Sequence, residues 1–271
     1  MIQKDKLRIG IAGLGAIGMT LAERLHAGIP GLSLAAATAR DNEAARGRLA
    51  ARGIAVPCMP ADALAEICDV IVECAPAAAF RSIAVPAIDA GRMLLALSAG
   101  ALLDHTDLIA RAEKRGARIV VPTGALLGLD AVRAAAEGNI VSVKLVSRKP
   151  PSGLIGAPYL EASGITLSGV SEPLKLFEGS AREAIRGFPA NVNVSVALAL
   201  AGIGPDLTQV EIWADPGITR NIHRIEVDAD SARLSMTIEN IPSDNPRTGR
   251  ITALSVIACL RNLVSTLKVG T

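Results

Sequence analysis

Aromatic side chains are nearly missing from this chain: one Trp, one Tyr and three Phe make up 2% of 271 residues. Proteins that hold single-stranded nucleic acid depend on stacking platforms built from such rings, and that class is excluded. Charge of one sign is missing too. Lys and Arg number 28 against 26 Asp and Glu, and a formal +2 gives no field able to hold a phosphate backbone, so no nucleic-acid partner is expected. Cysteine is scarce: Cys58, Cys68, Cys74 and Cys259 form no C-x-x-C pair and have no histidine at metal-ligand spacing. Neither a disulfide framework nor a zinc site is expected, and free thiols suit a reducing cytoplasm. Long apolar runs are interrupted. Gly187 to Pro205 is uncharged, but Pro189, Asn191, Asn193 and its glycines break it, which favours a buried helix over a membrane span. Lys4 and Lys6 ahead of the apolar Ile9 to Ala22 have the outline of a leader, yet the glycines there fall in a pattern that a leader has no reason to keep.

What the chain does have is a composition that is 50% apolar and 20% charged, arranged in alternating blocks. Strand-like runs at Leu7 to Ala12, Leu32 to Thr38, Val70 to Glu73, Met93 to Leu97 and Arg118 to Val121 alternate with helical stretches. The latter are Ala16 to His26, Asn42 to Arg52, Ala77 to Ile88 and Leu102 to Arg115. Such alternation builds a parallel sheet covered on both faces. After Pro122 the rhythm changes to a short helix at Ala125 to Glu137, a strand at Ile140 to Ser147 and the breakers Lys149-Pro150-Pro151-Ser152-Gly153. A helix near Asn191 to Ala201 follows. Thr208 to Ala214, Asn221 to Val227 and Arg233 to Glu239, separated by turn signals, then read as an antiparallel meander. The fold class is therefore α/β: a Rossmann-type doubly wound parallel sheet with a second α+β domain carrying a mixed or antiparallel sheet. The expected division is a dinucleotide-binding domain at 1–122, a catalytic domain at 123–245 and a C-terminal helix at 246–271 that packs back on the first domain.

The first strand runs directly into Gly13-Leu14-Gly15-Ala16-Ile17-Gly18, followed by a helix, so a G-x-G-x-x-G motif stands between strand and helix. Gly13 permits the tight turn, Gly15 lets backbone approach a pyrophosphate, and Gly18 brings helix and sheet together. Ala16 and Ile17 open the helix, whose free N–H groups face the anion. A glycine-rich turn without a ligand is the competing reading, and the surrounding α/β alternation favours the dinucleotide. The fingerprint usually ends in an acid about twenty residues on. Here the second strand ends Ala36-Ala37-Thr38-Ala39-Arg40, where Arg40 is placed to cap a 2′-phosphate unless it only solvates a helix start. The cofactor is NAD or NADP, with NADP use or dual specificity weighted above strict NAD use.

A hydride-transfer enzyme also needs a group to manage the substrate proton. Only His26, His105 and His223 are available as histidines, and the first two sit at helix ends. Strand alternation puts His223 on one face with Ile225 and Val227, where it is either a packed core group or a catalyst. Pro122-Thr123-Gly124-Ala125 and Ser98-Ala99-Gly100 follow strands at the carboxyl edge of the parallel sheet, where ligands bind in such folds. For an acidic substrate the candidate clamps are Lys144, Arg148, Lys149 and Arg247, unranked by spacing. Glu73 and Cys74 read as a solvated acid and a small buried hydrophobe.

Several segments together resemble the L-aspartate dehydrogenase family: Gly10 to Gly18, Pro122-Thr123-Gly124-Ala125-Leu126-Leu127-Gly128-Leu129-Asp130-Ala131, Phe188-Pro189-Ala190-Asn191-Val192-Asn193-Val194, Asn221-Ile222-His223 and Asn245-Pro246-Arg247-Thr248-Gly249. The first is shared by many dehydrogenases, whereas the combination, in this order, is specific. The resemblance implies oxidative deamination of L-aspartate to iminoaspartate with NAD or NADP, reversible toward amination of oxaloacetate by ammonia, with the imine able to enter nicotinamide-ring biosynthesis. It implies His223 as the catalytic residue, and Ala125 with Asn191 or Asn193, the latter preferred, at the nicotinamide end of the cofactor. It also implies a homo-oligomer, usually a dimer or larger, with no membrane partner. The competing readings are a two-domain dehydrogenase of the homoserine dehydrogenase or dihydrodipicolinate reductase type, and a nicotinamide-binding redox sensor without turnover.

Overall fold

The computed structural model describes residues 6–243 and 249–270. The chain forms two compact units, one of 1–122 with 253–268 and the other of 123–252 with the last three residues.

The first unit runs β1 (Leu7–Ala12), α1 (Ala16–His26), β2 (Leu32–Thr38), α2 (Asn42–Ala50), α3 (Ala61–Ile67), β3 (Val70–Glu73), α4 (Phe80–Asp89), β4 (Met93–Ala96), α5 (Ala99–Asp104), α6 (Asp107–Arg115) and β5 (Arg118–Val120). Its five strands lie in the order β2-β1-β3-β4-β5, and every pairing is parallel. β3 is buried at all four positions, as expected of a central strand with helices on both faces. Asp41 caps α2, its carboxylate accepting from Glu43 N and Ala44 N, and Gly116 ends α6 at φ +64°. The stretch from Leu102 to Arg115 is not one helix. It breaks at His105 and Thr106, so α5 and α6 are separate. Likewise Ala77–Ala79 is a 3-10 turn ahead of α4, and α3, opened by Pro60, was not anticipated.

The second unit runs α7 (Leu129–Ala136), β6 (Ile140–Lys149), α8 (Pro158–Ala162), β7 (Leu174–Ser180), α9 (Ala181–Gly187), α10 (Asn193–Ala201), β8 (Gln209–Ala214), β9 (Asn221–Ala229) and β10 (Arg233–Asn240). The sheet order is β10-β9-β6-β8-β7, with β6 and β8 parallel and the other pairs antiparallel. The expected meander is corrected here: β9 and β10 form a hairpin, but β6 lies between β8 and β9. The sheet is mixed. The uncharged stretch within Gly187 to Pro205 forms the buried α10; a Cβ added at Gly202 would sit 3.3 Å from Val132 of α7 and 3.5 Å from Val143 of β6, so these elements pack over one sheet face. Tyr159, Phe177 and Phe188, three of the five aromatic residues, pack against one another with ring centroids 5.3 to 5.9 Å apart. No helix among the described residues is long and apolar enough to cross a membrane.

The last helix, α11 (Ile251–Val264), belongs with the first unit over most of its length. Val256, Ile257 and Leu260 join Ile9, Leu21, Leu25 and Leu32 in one apolar cluster. Asn245 to Thr248, including the candidate clamp Arg247, lies outside the described residues, as does Lys4.

Candidate active site

At the carboxyl end of β1 the chain turns through the glycine loop. Gly13 adopts φ +100°, and a Cβ there would come within 2.7 Å of the Cys74 and Ala75 backbone. Gly18, in the first turn of α1, would place a Cβ 1.9 Å from Gly13 O, so helix and loop touch without room for any side chain. Gly15 differs. It is the N-cap of α1, and nothing lies within 4 Å of an added Cβ, so its outer side is open. With Ala16 and Ile17 it leaves a helix N-terminus free of any side-chain cap, the kind of place that takes an anion. At the neighbouring strand tip Thr38 is 7% exposed, while Arg40 is exposed and makes no ion pair among the described residues.

Glu73 is not the solvated acid expected. It is fully buried, accepting from Ser98 N and Ser98 Oγ at 3.0 Å each and from Ala75 N at 2.9 Å. Burial pushes its carboxyl above the usual range, and the bonds from Ser98 and Ala75 oppose that rise. The carboxylate ties the end of β3 to the loop after β4, bracing the Ser98-Ala99-Gly100 turn beside the glycine loop. An acid ending a wholly apolar strand, with a serine at the next strand tip, was the available signal. Cys74 is half-buried rather than buried, and its Sγ lies 3.2 Å from Gly13 O.

In the second unit one sheet face gathers the polar groups. Along β6 the side chains alternate: Lys144 and Arg148 point to one face, Ser147 and Lys149 to the other. Lys144 pairs with Glu211 at 2.7 Å, and Arg148 pairs with Asp215 and lies over the Trp213 ring at 5.1 Å. Lys149 is only 3% exposed, and its Nζ donates to Asn191 Oδ1 at 3.1 Å and to Asn191 O at 3.3 Å. On β9, His223 is 2% exposed and stands opposite Ser147, whose Oγ is 3.1 Å from Nδ1. Burial, with the Lys149 charge adding to it, pushes the His223 imidazole down to about 3, so the ring is neutral at physiological pH. The face also carries Asn221, register partner of Asn240 on β10. Asn240 Nδ2 donates to Ala125 O at 2.8 Å, which pins the Thr123-Gly124-Ala125 loop to this face.

His223, Lys149, Asn191 and the anchored Ala125 loop thus share one unit, whereas Gly13, Gly15, Ala16, Ile17, Gly18 and Arg40 share the other. Asn193 is the first residue of α10 and half-buried; the helix starts there, two residues later than expected. His26 is exposed in the last turn of α1, and His105 stacks on Phe80 with centroids 6.2 Å apart. Among the described residues no group of His, Cys, Asp or Glu could hold a metal ion.

A parallel sheet with a dinucleotide loop, followed by a mixed-sheet unit that buries a neutral histidine, defines a two-unit dehydrogenase that uses a nicotinamide cofactor. Comparison with known proteins makes this particular. A family profile described as "Homoserine dehydrogenase, NAD binding domain" matches residues 13–122, and one described as "Aspartate dehydrogenase, C-terminal" matches residues 130–263. The chain is 56% identical over 269 residues to an L-aspartate dehydrogenase of Bradyrhizobium diazoefficiens, covering 98% of this chain and 95% of that protein. It is 54% identical to L-aspartate dehydrogenase 3 of Bordetella bronchiseptica, covering all of both chains. The crystal structure of aspartate dehydrogenase from Thermotoga maritima shares the fold, with a TM-score of 0.72 and 23% identity over 97% of this chain and 99% of that one. The chain belongs to the L-aspartate dehydrogenase family.

Proposed function

We propose that the protein catalyses the NAD(P)-dependent oxidative deamination of L-aspartate to iminoaspartate, reversible toward amination of oxaloacetate by ammonia. One observation carries this reading within the family: a buried neutral histidine and a buried lysine share one face of the second sheet, a proton acceptor beside a site for a carboxylate. When bound, the nicotinamide supplies the hydride acceptor, with its dinucleotide held by Gly13, Gly15, Ala16, Ile17 and Gly18 and its nicotinamide end met by Ala125 and an asparagine. Asn191 braces Lys149 through its backbone and side-chain oxygens, and Asn193, which opens α10, is the preferred contact for the cofactor. His223 takes a proton from the substrate ammonium, because a positive nitrogen cannot give its lone pair to the forming imine. The setting that goes with this reading is a cytoplasmic homo-oligomer whose imine product serves nicotinamide-ring biosynthesis.

The direct test is purified protein with L-aspartate, homoserine or a dihydrodipicolinate, and NAD or NADP, followed by nicotinamide absorbance. Turnover with aspartate and little with the others is expected; no turnover of aspartate with either cofactor overturns the reading.

Lys149 is proposed as a substrate clamp because Lys144 and Arg148 face the other way and are engaged in ion pairs there. A lost charge-assisted contact is worth roughly 1.5 to 3 kcal/mol, so Lys149→Met should raise KM for L-aspartate by about one to two decades. An unchanged KM would remove Lys149 from the substrate site.

The strand tip after β2 carries no acid and presents an exposed Arg40. NADP should therefore serve at least as well as NAD, and Arg40→Ala should weaken NADP by about one to two decades more than NAD. Equal weakening of both cofactors in binding titrations would show that the guanidinium does not read a 2′-phosphate.

A further inference from the structure

Ser147 has no part in the reaction as described so far. It is 2% exposed, stands opposite His223 in the β6 and β9 pairing, and places Oγ 3.1 Å from Nδ1. We propose that Ser147 is the positioning residue of His223: by engaging Nδ1 it fixes the ring so that Nε2 is the nitrogen that exchanges a proton with the substrate amine. The inference rests on the reading of His223 as the catalytic residue.

The chemistry of a hydroxyl suits this place. A ring that accepts a proton at Nε2 carries its other hydrogen on Nδ1, and Ser147 Oγ accepts that hydrogen before and after the transfer. One proton leaves the substrate ammonium and arrives at Nε2; none passes to the serine. In the amination direction the same proton returns to nitrogen and the Nδ1 bond is kept. A carboxylate here would orient the ring equally well, but its charge would stabilise the imidazolium and make proton return harder.

The charged surroundings of the ring are simple. Lys149, on the same face of β6, is the ionisable side chain that acts on His223, and its charge opposes the imidazolium as burial does. Across on β10 the register partner is Ile238, and along β9 Asn221 and Ile225 share the face. α10 carries no ionisable side chain, and Asp130 and Arg133 of α7 are exposed. Orientation by a neutral partner is thus combined with a cation that, together with burial, keeps the ring unprotonated in the resting protein.

The test compares Ser147→Ala, Ser147→Thr, Ser147→Asp, His223→Ala and the Ser147→Ala/His223→Ala double variant, using steady-state turnover of L-aspartate and binding of the reduced cofactor by fluorescence. Ser147→Ala should lower kcat by about tenfold to a hundredfold with cofactor Kd within about twofold. Ser147→Thr, which keeps the hydroxyl on a strand that favours β-branched residues, should recover most of the loss. Ser147→Asp should move the acid limb of kcat/KM upward by about a pH unit or more, because a carboxylate against Nδ1 stabilises the imidazolium. In the His223→Ala background the serine substitution should cost nothing further. Losses that multiply in the double variant, or an acid limb unmoved by Ser147→Asp, overturn the positioning role while leaving the catalytic reading in place. Full turnover in His223→Ala overturns both. If Ser147→Ala does not fold, the Thr and Asp variants decide the matter.

Discussion

His223→Ala is expected to lower turnover of L-aspartate by about two to four decades, the usual range for a lost general acid or base, with cofactor binding largely intact. The ring is buried opposite Ser147, and it is the one imidazole on its sheet face among the described residues. His223→Gln keeps most of the volume and guards against a loss caused by a cavity alone. Turnover within a few-fold of the parent in both variants would mark the histidine as a packed strand residue.

The acid limb of this reaction belongs below neutrality rather than at it. Burial and the Lys149 charge push His223 from 6.5 down to about 3, so the base form already dominates at pH 7 and remains dominant as the medium is acidified. The same shift has a consequence for stability. A histidine whose folded value lies below its unfolded one leaves the unfolded chain holding more protons, so stability is full above about pH 6.5 and declines as pH falls toward 3. The slope from one such group is at most about 1.4 kcal/mol per pH unit. Denaturant midpoints measured at pH 7 and pH 5 should therefore fall more steeply in the parent than in His223→Gln. Parallel declines would mean that the ring is not held neutral by the fold.

The parallel sheet was legible because each of its strands is a short apolar run bounded by turn residues, and β1 to β3 fall where the pattern puts them. The break between α5 and α6 was not, since no Gly or Pro marks His105 and Thr106; the chain ends α5 with a bond from His105 N to Leu102 O instead. β7 escaped because it is an edge strand whose sequence, Leu174 to Ser180, is half polar and lacks alternation. The order of the second sheet has no local signature at all: β6 inserts between β8 and β9 through pairings more than 60 residues distant, and the Ser147 and His223 contact is a product of that register. Likewise Glu73 looked solvated because charge is usually exposed, and only its partner Ser98, 25 residues on, shows why it can be buried.

Replacing Gly15 with valine should abolish cofactor binding and leave the protein folded, and of the three glycines in the loop it alone allows so clean a separation. Gly13 stands at φ +100° against the backbone of Cys74 and Ala75, and Gly18 has Gly13 O 1.9 Å from where a Cβ would be, so a side chain at either position would disturb the fold itself. Gly15 has φ −78°, a value open to any residue, and nothing within 4 Å of an added Cβ. The Cβ of a valine there meets no protein atom within 4 Å, and its branches project into the space proposed for the pyrophosphate, above the N–H groups of Ala16, Ile17 and Gly18. As an N-cap, valine is poorer than glycine, and the cost to stability should stay within about 1 kcal/mol. Affinity for NAD and NADP should fall together by at least about a hundredfold, or roughly 2.7 kcal/mol, because both cofactors share the pyrophosphate. The measurements are a thermal melt and a titration of cofactor fluorescence on the same preparation. A parent-like melt with lost binding places the dinucleotide on this loop, and a folded Gly15→Val protein that binds either cofactor as the parent does would take it off.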